Sequence, residues 1–234
     1  MKLIYENPLA TPEDVKDFVL EGKAIISFEN GRLRMANQLS EVEGQKANYV
    51  YWCEKEFPAD IRIEWDFLPV QEPGLAMMFF AAKGRGGEDL FAPSLAPRNG
   101  EYKLYHHGDI DAFHVSYFRR KEPDERHLHT CNLRKSYGFY LVAQGADPIP
   151  DAVDATVPYH IVVTKYKNKV TFDVENLRIF EFVDDGESYG KILGGGKLGF
   201  RQLAPMIAEY SNLRVFELED DDMQLEKPDQ KQGE

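Results

Sequence analysis

The chain has 234 residues, 28 basic and 40 acidic side chains and a net charge of −12, with 43% hydrophobic and 12% aromatic residues. That length suffices for one large β domain with a substantial core, while the acidic balance argues against general nucleic-acid binding, which needs a basic surface. No window approaches the ~20 apolar residues of a membrane helix, and Cys53 and Cys131 are too few for a disulfide framework and fit no metal-ligand spacing.

The opening stretch MKLIYENPLATPED has one lysine and no apolar run of signal-peptide length, so a cytoplasmic location is expected. Thr11-Pro12-Glu13-Asp14 predicts a short helix start, with a capping hydroxyl, proline at the first position and acids favoured by the helix dipole; Gly22 follows soon after. Beyond it the period is two. Ile61, Ile63, Trp65 and Phe67 share one face of a strand and Arg62, Glu64 and Asp66 the other, while 75–82 is apolar throughout, as in a central strand covered on both sides. Strands over 159–166 and 169–174 form a hairpin around Lys167-Asn168, and further strands are predicted over 177–183, 197–202 and 207–218. With no βαβ alternation and no internal repeat, the expected fold is all-β, two packed antiparallel sheets. Residues 1–218 are expected to form a single sandwich domain. From Glu217 onward eight acids face two lysines, so 219–234 is expected to be a disordered acidic tail.

The segment from Glu101 to Lys135 departs from the acidic bulk, with seven basic and six acidic residues and five of the six histidines. Alternation along a strand over 112–120 turns Phe113, Val115 and Tyr117 inward and leaves His114, Ser116, Phe118 and Arg120 on the opposite face. Along 128–134 it turns Cys131 and Leu133 inward and leaves Thr130, Asn132 and Arg134 outward. Neighbouring strands would then present one polar face suited to hydroxyl and carboxylate groups, since arginine binds carboxylate through a bidentate fork. An ordinary solvated face would be rich in Lys, Glu and Thr rather than His, Asn and Arg interleaved with aromatics. For His127, His129 and His160 taken singly, packing or surface roles are expected, because His127-x-His129 lacks a third metal ligand. Glu64 and Asp66 share a strand face as in some sandwich glycosidases, but Phe67-Leu68-Pro69 follows and the third acid of the E-x-D-x-x-E pattern is absent.

Several motifs resemble the YesU-like family of the concanavalin A-like lectin and glucanase superfamily, over nearly the whole chain up to about Phe216. They include Asn7-Pro8-Leu9, Phe79-Phe80-Ala81-Ala82, Gly87-Glu88-Asp89-Leu90-Phe91, Tyr105-His106, Gly108-Asp109-Ile110, Ser116-Tyr117-Phe118-Arg119-Arg120, Thr130-Cys131-Asn132-Leu133-Arg134-Lys135, Gly145-Ala146-Asp147-Pro148 and Gly199-Phe200-Arg201-Gln202. The resemblance implies a concanavalin A-like, galectin-like jelly-roll sandwich and an association with breakdown of uronic-acid polysaccharides such as pectin or ulvan. His107 and the acidic tail are the departures.

For a uronate substrate, the reaction suited to a His/Tyr/Arg face is β-elimination: removal of the C5 proton beside the carboxylate and expulsion of the C4 substituent. Arg134 and Asn132 are the candidates to stabilise the enolate-like dianion, His114 or His106 the base, and Tyr105 the acid for the leaving oxygen. Ser116, Arg120, Thr130, Glu64, Asp66 and Asp109 are the candidate substrate contacts. The expected partner is a small acidic oligosaccharide that loses water at its non-reducing-end uronate, with no nucleic acid, membrane or cofactor involved. A structural cation and the oligomeric state stay open. The alternatives are a non-catalytic lectin-like module and, behind it, a glycoside hydrolase.

Overall fold

The computed structural model describes residues 1–120 and 129–222. Its strands are β1 (Lys2–Asn7), β2 (Val19–Gly22), β3 (Ala24–Glu29), β4 (Arg32–Asn37), β5 (Tyr49–Phe57), β6 (Ile61–Gln71), β7 (Leu75–Gly84) and β8 (Ile110–Tyr117). They continue with β9 (Thr130–Lys135), β10 (Tyr140–Ala146), β11 (Tyr159–Tyr166), β12 (Lys169–Val174), β13 (Leu177–Val183), β14 (Gly196–Leu203) and β15 (Ile207–Glu217). One α-helical turn, α1 (Lys103–His106), stands among them, with 3-10 segments at Pro12–Val15 and Glu41–Ala47.

The first sheet runs β13-β12-β11-β6-β15-β4-β3, with β1 also on β15; the second runs β10-β9-β8-β7-β14-β5-β2. Neighbours pair antiparallel, and the architecture is the expected jelly-roll sandwich. Period-two patterning explains the core. Ile61, Ile63, Trp65 and Phe67 of β6 join Ala76, Met78 and Phe80 of β7 and Phe113, Val115 and Tyr117 of β8 in one cluster between the sheets. Inside it the Trp65 indole donates to the Tyr117 hydroxyl at 3.1 Å.

The other face of the second sheet is partly roofed by the segment between β7 and β8. Leu90 and Tyr105 of this segment pack with Val50, Trp52 and Phe79 into a second cluster. Strand β7 is therefore buried on both sides, as its unbroken apolar sequence requires.

At Thr11 the 3-10 turn starts as expected, with Asp14 Oδ2 accepting from the backbone N–H of Ala10 and Thr11 at 2.9 and 2.8 Å. The strand expected over 112–120 ends earlier, at Tyr117. Phe118 takes a positive φ of 47° and turns into the core, which breaks the alternation behind it. Arg120 consequently leaves the polar face: it is buried against Asp147 (3.2 Å), Asp151 (2.9 Å) and the Ile149 carbonyl (2.7 Å), and its expected place among the substrate contacts is corrected to a structural one. Of the acidic tail, Asp220 pairs with Lys167 at 2.7 Å; 223–234 lie outside the described residues, as does His127. Among the described residues no helix is long and apolar enough to cross a membrane.

Candidate functional site

The β8–β9 register sets His114 opposite Arg134 and Ser116 opposite Asn132, and the β7–β8 register sets Phe79 and Met77 opposite the same two residues of β8. Because side chains of directly paired residues share a face, His114, Ser116, Asn132 and Arg134 come together on the side of the sheet away from the core. Arg119 and Gln144 extend this face. The Asn132 amide lies 2.8 Å from Arg119 Nη1 and 2.7 Å from Gln144 Nε2, and Arg119 Nη1 also donates to Thr130 Oγ1 at 2.5 Å. Arg134 donates to the Phe139 carbonyl at 2.9 Å, with its guanidinium 4.0 Å from the centre of the Phe139 ring.

Across the face lies a chain of three side chains. The Tyr102 hydroxyl is 2.6 Å from His114 Nε2, and His114 Nδ1 is 2.9 Å from Ser136 Oγ. His114 and Ser136 are closed to solvent, whereas Tyr102 is half-buried. Tyr102 is placed by the stretch leading into α1. Gly100 sits at φ +94°, and a Cβ there would fall 1.9 Å from the Asn48 carbonyl oxygen, so glycine is required for this close approach. One helical turn then puts Tyr102 and His106 on the same side, their rings 4.7 Å apart, and both pack on Phe139.

Beneath Tyr102 lies Arg201 of β14. Its guanidinium is 4.6 Å from the centre of the Tyr102 ring, donates to the Gly100 carbonyl at 3.1 Å and is fully buried. Among the described residues neither Arg201 nor Arg134 has a carboxylate within ion-pair distance, and Arg201 Nε has no partner at all. Glu21, which reaches the same covered cluster from β2, is taken up by Arg98 (2.7 Å) and by the Trp52 indole (2.8 Å).

This surplus of positive charge shapes the acid–base properties. Burial pushes the Tyr102 phenol up to about 12, against the pull of Arg201, Arg134 and Arg119 toward the phenolate. Burial, then Arg134 and Arg201, hold His114 well below the ordinary histidine range. Burial and the neighbouring His107 lower His106 to about 4. Both imidazoles are therefore neutral at pH 7. Burial also lowers Arg201 to about 10, which leaves it charged.

Other expected site residues stand elsewhere. Tyr105 points away from His114: it accepts from the Gly100 N–H at 3.0 Å and donates to Glu21 at 2.9 Å, fully enclosed. Glu64 and Asp66 lie on the outside of the first sheet because Trp65 between them faces the core. There Glu64 binds Arg62 (2.6 Å) and Arg214 (3.2 Å), and Asp66 binds His160 (2.8 Å) and Asn212 (2.6 Å), which corrects their expected place among the substrate contacts. Asp109 is corrected likewise: its carboxylate accepts from the Ala96 N–H at 2.8 Å and ties down the roofing segment. His129 Nδ1 is 3.3 Å from Arg120. Among the described residues no group of three His, Cys, Asp or Glu side chains is arranged to hold a metal.

Four residues at the centre of the site, Tyr102, Ser136, Phe139 and Arg201, are absent from the sequence-based expectation. Arg201 was open to the same alternation argument as Asn132, since Leu198 and Phe200 face the core and Gly199 and Arg201 must face the other way. Tyr102 carried one signal, its i,i+4 spacing to His106.

With this geometry in view, the family model described as "Domain of unknown function (DUF1961)" matches residues 2–215. The uncharacterized protein YesU of Bacillus subtilis (strain 168) is 50% identical over 214 residues, 92% of this chain and 95% of that protein. The crystal structure of a protein of unknown function with a galectin-like fold from Bacillus subtilis aligns with a TM-score of 0.89 at 49% identity, over 93% of this chain and 96% of that one. A β-1,3-1,4-glucanase (lichenase) derived from a mouse hindgut metagenome aligns with a TM-score of 0.60 at 12% identity, over 93% of this chain and 100% of its own. The Emp47p carbohydrate recognition domain gives 0.59 at 18%, over 92% and 97%. At such identities the last two likenesses are of fold alone.

Proposed function

The chain belongs to the DUF1961 family, and on that premise we propose that it removes water from the non-reducing-end uronate of a small acidic oligosaccharide of pectin or ulvan type, in the cytoplasm and without a cofactor. The observation that carries this reading is the Tyr102 hydroxyl bonded to a buried His114, with the Arg201 guanidinium 4.6 Å from the Tyr102 ring and Arg134 paired across from His114 on the same face. The guanidiniums of Arg134 and Arg201, with no carboxylate in ion-pair distance among the described residues, suit an anionic ligand, and a neutral sugar would leave them uncompensated.

In the proposed reaction the sugar carboxylate lies against Arg134 and Asn132. With Ser136 accepting from Nδ1–H, His114 Nε2 is free to take the Tyr102 proton. The phenolate, which burial disfavours and the arginines offset in part, removes the proton from C5 while the arginines stabilise the charge that builds on the carboxylate. The C4–O bond breaks, C4=C5 forms, and the proton held by His114 returns through Tyr102 to the leaving oxygen, which departs as water. His106 stays neutral beside the Tyr102 ring and lines the leaving-group side.

The test is incubation with uronate-terminated pectic and ulvan oligosaccharides, followed by ultraviolet absorbance of the unsaturated uronate and mass spectrometry. Loss of one water from an intact chain supports the dehydratase; two shorter chains would make the protein a lyase. One observation favours a binding module instead: Tyr102 at about 12 and His106 at about 4 both titrate far from neutrality. Saturable binding with no absorbance change on either substrate class would establish that reading and remove elimination.

A further inference from the structure

Beyond Ser136 the molecule has a concavity that the proposed reaction does not use, a cavity of about 380 Å3 within the size range of small-ligand sites. The turn between β9 and β10 separates it from the polar face around Tyr102 and His114, the proposed substrate cleft. Phe139 packs on Arg134 and His106 on the cleft side, whereas Tyr137 lines the cavity. The floor is Lys135, buried and bonded to Asp184 (2.7 Å) and to the carbonyls of Gly190 (2.9 Å) and Lys191 (2.8 Å), so its charge is matched and its position fixed.

The walls are different in kind. Tyr137, Tyr140 and Tyr189 keep 37%, 45% and 37% of their surface exposed around one small cavity. The Tyr140 and Tyr189 rings are 5.4 Å apart and inclined at 50°, and both line the cavity. Among the described residues none of the three hydroxyls hydrogen-bonds to protein. Arg85 lies at the rim, 3.5 Å from the centre of the Tyr137 ring. Lys191 is shared between Asp111 (3.4 Å) and the Arg85 carbonyl (3.0 Å), while Arg85 has no carboxylate within ion-pair distance among the described residues. A cation left without a counter-ion is notable in a chain of net charge −12. Aromatic rings offer an apolar platform for the C–H face of a pyranose, with hydroxyls at their edges, and a guanidinium offers a fork for a carboxylate.

We propose that this cavity is a second carbohydrate site, which takes a uronate with its ring against Tyr140 and Tyr189 and its carboxylate on Arg85. The assignment rests on the acidic-sugar reading of the cleft for its ligand class and on none of the cleft's residues.

The experiment is titration of the 15N-labelled full chain with digalacturonate and, separately, with its neutral methyl ester. Amide shifts of Tyr140, Tyr189 and Gly190 report the cavity; those of Tyr102 and Asn132 report the cleft. Digalacturonate is expected to move the cavity amides, with binding there weakened about tenfold by Arg85→Ala, by Tyr140→Ala and by esterification, as for loss of one good contact. Cavity amides that do not move, or that respond equally in wild type and both variants, overturn the proposal. A cleft that stays silent while the cavity responds removes the elimination reading for pectic substrates and leaves the second site standing. The reverse pattern removes the second site alone.

Discussion

The Tyr102 hydroxyl is 2.6 Å from Nε2 of His114, and that imidazole is sealed from solvent by Tyr102 on one side and Ser136 on the other. In the proposed elimination, a proton exchanged between His114 and the substrate therefore passes through the phenol. Tyr102→Phe is expected to lower kcat by roughly 10²–10⁴, the usual worth of a positioned acid–base group. Leaving Nε2 without its partner should cost about 1–3 kcal/mol of stability. Steady-state rates on a uronate-terminated oligosaccharide, with thermal unfolding of the same sample, check both. Wild-type turnover in the variant would remove Tyr102 from the chemistry.

Arg201 separates function from stability. A fully buried guanidinium without a carboxylate is expensive to desolvate, and its hydrogen bonds to Gly100 and Gln45 and its contact with Tyr102 repay that only in part. Arg201→Met keeps the volume and removes the charge. The expected result is a Tm unchanged or raised together with at least a hundredfold loss in kcat/KM, since the cation packed on the Tyr102 ring is gone. A marked fall in Tm with activity retained per folded molecule would show that the arginine serves the fold.

How far the site was legible in the sequence follows from where period-two order holds. His114, Ser116, Asn132 and Arg134 lie within β8 and β9, and alternation put them on one face. Arg120 lies three residues beyond the end of β8, past the left-handed Phe118, and alternation carried that far gives the wrong side. Asp109 and Tyr105 belong to the roofing segment, whose course depends on tertiary anchors such as Gly100 packed on Asn48. No local pattern encodes such anchors. Glu64 and Asp66 were placed correctly on the polar face of β6, yet which of two sheets carries the cleft depends on strand order, and β6 belongs to the other one.

That division gives a pair of control variants. Tyr105→Phe removes a hydroxyl that bonds Gly100 and Glu21 in the interior, and should cost about 1–3 kcal/mol by leaving the Gly100 N–H unpaired, while Glu21 keeps Arg98 and Trp52. The double variant Glu64→Gln, Asp66→Asn alters only the outer ion pairs of the first sheet, whose loss should cost about 1 kcal/mol. Both proteins are expected to eliminate water at near wild-type kcat when folded. A hundredfold loss of kcat in the Glu64/Asp66 variant, with an unchanged Tm, would bring a carboxylate-based mechanism back and displace the tyrosine.

The buried imidazole also sets a pH dependence of stability with a definite sign. Burial, reinforced by Arg134 and Arg201, holds His114 well below its ordinary value, so between that value and the lowered one the unfolded chain binds a proton that the folded chain does not. The stabilising contribution is fully present above about pH 6.5 and is lost as pH falls below it, at about 1.4 kcal/mol per pH unit. Lowering the pH from 7 to 5 should therefore lower the stability, by up to about 2 kcal/mol through His114. His106, lowered to about 4, adds a smaller effect of the same sign because it is half-exposed. Urea unfolding at pH 7, 6 and 5 measures the slope, and His114→Gln, which cannot titrate, should flatten most of it. A wild-type protein equally stable at pH 7 and pH 5 would mean that His114 accepts its proton in the folded state.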